Sequence, residues 1–244
     1  GRTTSSGRQG EPTLNVILPY CGGGDLFEIL QESQQSENPG MSEPQARYWF
    51  RQIISGLHHL HTVAGICHRD LSPENVMLHD NKSLIIDMGM CLRIPHNSKD
   101  DDDDDDDDDD PTKTTDIQNG TTKRLFKPQG ACGKLPYMAP EIYRNRDPFD
   151  GGAVDIWTAA TILFCMLTGN RSYQRAHTSD PQFYWMTHGL PMLLSDWGVV
   201  LTPEAVDLLQ GMLKVDPRER YTLEQVLNHA WFAVDDHTDD HVLT

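Results

Sequence analysis

The chain has 244 residues, 37% of them hydrophobic, and a formal net charge of −17 at pH 7, enough for a sizeable core in one or two domains. Eleven consecutive aspartates, residues 100–110, supply −11 of that charge. What remains is only moderately acidic and lacks the clustered Lys and Arg that phosphate backbones demand, which argues against nucleic-acid binding.

Residues 1–12, rich in Gly, Ser, Thr and Arg, form a leader expected to be disordered. The chain opens on Gly1 with no signal or transit pattern, and reads as a piece of a longer product or one missing its start. Residues 14–18 are a short apolar run ending at Pro19, which suits a strand. Gly22-Gly23-Gly24 then break the chain before Asp25-Leu26-Phe27-Glu28, a helix start with an acidic cap. These glycines make a poor phosphate cradle, since neither GxGxxG nor a following lysine is present.

Residues 42–62 read as a long amphipathic helix. Ser42 is placed to cap it, with Gln45 three residues on, and Ala46, Trp49, Phe50, Ile53, Ile54, Leu57 and Leu60 recur at helical spacing. The neighbouring His58, His59 and His61 have no cysteine partners and read as part of a helix face. Short strands are expected at 76–78 and 84–86. Residues 97–125 form a polar insert around the aspartate run. Charges spaced ~3.4 Å apart lie well inside the ~8 Å Debye length, so repulsion keeps the insert extended and disordered. A basic partner for the run is the sharper alternative.

Residues 155–168 are nearly all apolar and predict a buried helix, although no apolar run approaches the ~20 residues of a membrane span. Residues 203–213 predict a helix capped by Thr202 with Pro203 at its first position, residues 222–229 a last short helix, and 234–244 an acidic tail. The five cysteines are scattered with no CxxC pair, which points to free thiols in a reducing compartment, cytoplasm or nucleus.

The chemistry is concentrated in His68-Arg69-Asp70-Leu71-Ser72-Pro73-Glu74-Asn75, followed twelve positions after Asn75 by Asp87-Met88-Gly89, and later by Ala139-Pro140-Glu141. Phosphoryl transfer needs a positioned hydroxyl and cations that neutralise phosphate charge. Asp70 suits the first task, and Asn75 and Asp87 offer the hard oxygens that magnesium prefers. This ordered set resembles the catalytic loop, DFG metal site and APE anchor of eukaryotic protein kinases. Asp155-Ile156-Trp157 and Asp216-Pro217-Arg218-Glu219-Arg220 resemble two further family motifs, and the likeness runs from about residue 14 to 233.

The resemblance implies an α+β, mostly helical fold: the kinase large lobe with its hinge and one small-lobe strand, a partial kinase domain over 13–233. It implies ATP and Mg2+ as cofactors, and protein substrates rather than nucleic acid or membrane. It makes Asp70 the base and gives the metal to Asn75 and Asp87. Leu18 becomes the gatekeeper, Pro19 and Cys21 the adenine contacts, Asp25 the ribose contact and Met77 the adenine floor, with Glu74 on ribose or substrate. Asp155 would anchor the catalytic loop, Arg220 would pair with Glu141, and Arg69 would meet a phosphate on Thr114, Thr115, Thr121 or Thr122. The match looks closest to the calcium/calmodulin-dependent and AMP-activated kinase groups.

The sequence departs from the family pattern in three places. No Gly-rich loop, strand lysine or partner glutamate is present, so the nucleotide has a floor without a roof; an active kinase with these parts upstream and a pseudokinase scaffold both stay open. At Ser72 the family usually has a lysine, and at Lys134 a threonine, as though ammonium and hydroxyl had exchanged places.

Overall fold

The computed structural model describes residues 20–35, 39–95, 112–117 and 120–234. The leader, the 14–18 strand with Leu18 and Pro19, the aspartate run and most of the acidic tail fall outside these residues. The architecture is α+β with helices dominant, built around one apolar helix.

That helix is α4 (Gly151–Thr168), all but one of whose residues are buried. It starts four residues before the expected 155 because Asp150 caps it, accepting from Gly152 N at 2.9 Å and Ala153 N at 3.3 Å. By length and composition these 18 residues would suit a membrane span, contrary to the sequence reading, yet 94% of the segment is buried inside the fold. Thr158, Thr161 and Thr168 return their hydroxyls to carbonyls one turn back, so the apolar surroundings meet no bare oxygen. The helix stops at Gly169, φ 65°, where a Cβ would stand 2.4 Å from Gly40 N; only glycine permits that crossing.

α2 (Glu43–His59) and α7 (Pro203–Met212) pack on α4. Ser42 caps α2 through Gln45 N at 3.4 Å, and Thr202 caps α7 through Ala205 N at 3.2 Å. Glu43 then ties the two starts together, accepting from Thr202 N, Thr202 Oγ1 and Trp231 Nε1. The expected 42–62 helix is regular only to His59; Leu60–Ala64 widen into a π turn before Gly65. α1 (Leu26–Ser33) begins at a full capping box between Asp25 and Glu28, and α8 (Leu223–Leu227) at another between Thr222 and Gln225.

The strands are short antiparallel pairs. β1 (Ile66–Cys67) pairs with β4 (Leu92–Arg93), and β2 (Val76–His79) with β3 (Lys82–Ile85). β5 (Lys113–Thr115) and β6 (Thr122–Arg124) form a hairpin within the stretch expected to be disordered. It is held by docking: Ile117 N donates to Arg218 O at 3.2 Å, Lys123 pairs with Asp150 at 3.0 Å, and Phe126 bridges to Phe149. The expectation of disorder thus fails for 112–117 and 120–125, whose polar sequence hides the contacts that order it.

α3 (Pro140–Arg144), α5 (Pro181–His188) and α6 (Leu190–Asp196) complete the fold. A buried ion pair joins α3 to the loop before α8. Arg220, with 0% of its side chain exposed, donates to Glu141 at 2.8 and 3.1 Å, to Ala153 O and Lys214 O, and lies over Trp157 at 5.0 Å.

Asp180 caps α5 and also accepts from Gln174 N and Arg175 N of the preceding loop. Burial works to raise this carboxyl, but the four amides outweigh it and hold it below the usual carboxylate range. A carboxylate depressed in the folded state contributes fully above its unfolded value of ~3.9 and loses that contribution as pH falls through the lower folded value. Asp180→Asn does not titrate and turns an NH2 toward two of the four amides, so it should be less stable than wild type by roughly 1 kcal/mol at pH 7. In urea titrations that gap should hold down to about pH 5 and close below about pH 4; a gap unchanged from pH 7 to 3 contradicts this.

Candidate active site

Asp155, on the first turn of α4 and 0% exposed, carries the loop that follows β1. Its Oδ2 accepts from His68 N at 2.7 Å and its Oδ1 from Arg69 N at 2.8 Å, while His61 Nε2 lies 2.8 Å from Oδ2. The expected anchor and the loop are therefore in contact. His61, read from sequence as part of a helix face, is a further partner of the anchor. The π turn after α2 delivers it, and no periodicity announces such a turn.

Arg69 sits at φ 67°, a left-handed conformation that costs a non-glycine residue. Its Nη1 donates to Met90 O at 3.3 Å and its guanidinium lies 5.4 Å from the Phe149 ring centroid, while its buried Nε has no hydrogen-bond partner. The structure does not bring the four threonines to it. Thr114 lines a cavity of about 480 Å3 together with Lys123, Arg144 and Arg218. Thr115, Thr121 and Thr122 are exposed, with Thr115 and Thr122 hydroxyls 3.4 Å apart across the hairpin.

Asp70 follows directly. Its carbonyl accepts from Asn75 Nδ2 at 2.8 Å, its N–H donates to His68 Nδ1 at 3.3 Å, and its buried Oδ1 has no hydrogen-bond partner. An acceptor buried without a donor costs free energy unless something else completes it. Gly133, φ 87°, closes over this point: a Cβ there would be 3.0 Å from Arg69 O and 3.6 Å from Asp70 Oδ1.

Asn75 and Asp87 are brought together by the backbone between them. Ile86 N donates to Asn75 O at 2.9 Å and Ile86 O lies 2.9 Å from His68 Nε2. Asp87, at φ 62°, accepts from Gly89 N at 3.1 Å through Oδ1. With Asn75 Nδ2 spent on Asp70, its Oδ1 and the second Asp87 oxygen remain as hard donors. Among the described residues no three His, Cys, Asp or Glu side chains form a metal cage. Magnesium takes one or two protein oxygens and fills the rest with phosphate and water, so this donor pair fits it.

Ser72 and Lys134 meet. Lys134 Nζ donates to Ser72 Oγ at 2.9 Å and lies 3.1 Å from Glu74 Oε2. Ser72 is fully buried. An ammonium thus stands over the loop that presents Asp70, delivered by the 132–134 segment.

Two of the nucleotide candidates, Asp25 and Met77, lie along one edge. Met77 and Asp25 form a backbone bridge, flanked by Gly23 N to Leu78 O at 3.0 Å and Leu78 N to Gly24 O at 2.9 Å. Asp25 spends Oδ1 on Glu28 N at 2.9 Å as the α1 cap, so a ribose contact falls to its other oxygen. Cys21 stands half-buried at the start of this edge. None of the five cysteines is in a disulfide. Burial pushes Cys91 up to about 11 and Cys165 up to about 12, and raises Cys67 and Cys132 as well, which disfavours the thiolate that nucleophilic chemistry needs.

Residues 5–232 match the protein kinase domain family. Serine/threonine-protein kinase grp of Drosophila melanogaster is 32% identical over 219 residues, covering 88% of this chain and 36% of the fly protein. Serine/threonine-protein kinase chk1 of Schizosaccharomyces pombe is 31% identical over 221 residues, 89% of this chain and 37% of the yeast protein. Maternal embryonic leucine zipper kinase of Xenopus laevis is 27% identical over 217 residues, 88% of this chain and 28% of the frog protein. The chain thus spans roughly a third of the length of these relatives. A domain match over nearly the whole chain, with the family's motifs folded into one constellation, settles its kinship: this chain belongs to the protein kinase family.

Proposed function

We propose that these residues form the catalytic-loop part of a serine/threonine protein kinase, transferring the γ-phosphoryl group of ATP to a protein hydroxyl. The observation that carries this reading is Asp70: a carboxylate with one buried oxygen left unpartnered, on a backbone fixed by Asp155 and Asn75. A hydroxyl group arriving there would complete Asp70 and hand over its proton as the oxygen attacks phosphorus. Asn75 and Asp87 would hold Mg2+, whose chemistry is neutralisation of phosphate charge. Lys134 supplies a fixed positive charge beside the moving phosphoryl group, held by Ser72 and Glu74. Met77 and Asp25, joined by a bridge, offer the nucleotide its floor and edge. Transfer needs a Gly-rich loop and a strand lysine as well, which we assign to sequence upstream of Gly1. A reducing compartment, cytoplasm or nucleus, is our reading, supported by five cysteines that form no disulfide.

In a protein that joins these residues to such a loop and lysine, Asp70→Asn and Asp87→Asn should each lower kcat by roughly 10³-fold or more, because each removes a contact made in the transition state. Turnover near wild type in either variant, measured with labelled ATP and a protein substrate, contradicts the assignment.

The Ser72–Lys134 contact makes a second prediction in the same protein. Lys134→Thr should lower kcat by ~10²-fold or more, as for loss of one preorganised charge contact. Ser72→Lys should also lower it, by crowding two ammonium groups at a spacing now 2.9 Å. The double variant should recover much of the loss, with a coupling energy above ~1 kcal/mol. Additive losses, or a harmless Lys134→Thr, would leave Lys134 outside the machinery.

A further inference from the structure

The chain leaving the β5–β6 hairpin reaches the catalytic loop through one aromatic residue. Phe126 pairs with Phe149 by two backbone hydrogen bonds, each 2.9 Å, and their rings stack with centroids 5.3 Å apart at 24°. The seat for Phe126 exists because residue 151 is glycine. A Cβ there would stand 2.8 Å from the Phe126 ring and 2.4 Å from Cys67 Sγ. Cys67 ends β1 and directly precedes His68-Arg69-Asp70. The notch that holds Phe126 is therefore walled by the strand that leads into the catalytic loop.

Phe149 has a second task. It is 3% exposed and carries the Arg69 guanidinium 5.4 Å from its ring centroid, within the range of a cation–π contact. Arg69 needs such support. Its backbone is held at φ 67°, and among the described residues its side chain makes a single hydrogen bond, Nη1 to Met90 O at 3.3 Å. Asp155 fixes the Arg69 amide from below; the ring fixes the side chain.

We propose that Phe126 is a positioning residue: seated against Gly151, whose missing Cβ leaves room for it beside Cys67, it holds the Phe149 ring on which Arg69 rests, and so steadies the backbone that presents Asp70. The docked hairpin is then coupled to the catalytic base by apolar packing and one cation–π contact, and the coupling asks for no phosphate on Thr114, Thr115, Thr121 or Thr122. The consequence for turnover rests on the kinase reading above. The coupling itself does not, and it is read from the backbone of the 244-residue chain without any substrate.

Hydrogen exchange followed by mass spectrometry tests it. Phe126→Ala should speed exchange across residues 66–75 by roughly tenfold, as expected for losing local support rather than global stability, with α7 unchanged. Phe126→Leu keeps apolar volume in the seat and should restore most of the protection. Gly151→Ala should reproduce the Phe126→Ala pattern by filling the notch, although alanine is the better helix former; this variant and Phe126→Leu decide the matter if Phe126→Ala fails to fold. Phosphatase treatment of the wild-type chain should leave 66–75 protected. The proposal is overturned by unchanged exchange at 66–75 in Phe126→Ala or Gly151→Ala, by losses spread evenly over α4 and α7, or by deprotection of 66–75 on phosphatase treatment.

Discussion

The Asp155 carboxylate is the interaction on which the site hangs. A charge with no exposed surface is tolerated only when its oxygens are filled, and here they are filled by His68 N, Arg69 N and His61. Those two amides belong to the residues before Asp70, so satisfying the buried charge and aiming the candidate base are one event. The left-handed Arg69 follows from the same demand: both successive N–H groups must point at one carboxylate, and an ordinary φ would not turn them there together. α4 supplies the rigidity, being apolar on all sides and buried among α2, α7 and the loops around them.

The second buried charge pair extends this logic to the substrate side. Arg220 and Glu141 neutralise each other, and Arg220 also takes carbonyls from Ala153 and Lys214. Removing either partner alone would strand a buried charge. Glu141 opens α3, immediately after the segment that carries Lys134 toward Ser72. The catalytic loop is thus tied to the start of α4 by one ion, and the facing loop to the same helix start, through Ala153, by another.

Much of this was legible in the sequence where a residue type and a spacing carry meaning together. The contacts expected of Asp155 and of Arg220 with Glu141 are present, and the caps at Ser42 and Thr202 behave as their chemistry dictates. What escaped depends on contacts distant in sequence. The β5–β6 hairpin is polar on both faces, so no period-2 signal exists; it is ordered by Ile117 on Arg218, Lys123 on Asp150 and Phe126 on Phe149. α4 begins before the expected 155 because Asp150 caps it through Gly152 N and Ala153 N, and the Gly151 position has no room for a side chain. α5, α6 and the two-residue strands are too short for a period to show. The role of His61 is set by a π turn, which sequence patterns do not reveal.

A crystal structure of the Asp155→Asn variant tests the central claim most directly. The amide keeps one acceptor oxygen and turns a donor toward the second N–H, so the carboxylate can no longer hold both. The account predicts that Arg69 leaves its φ of 67° for a negative value, that residues 68–72 shift, and that Asp70 loses its place beside Gly133, with α4 and α7 intact. Arg69 still left-handed, with the 68–75 loop superposing on the wild type, would contradict it.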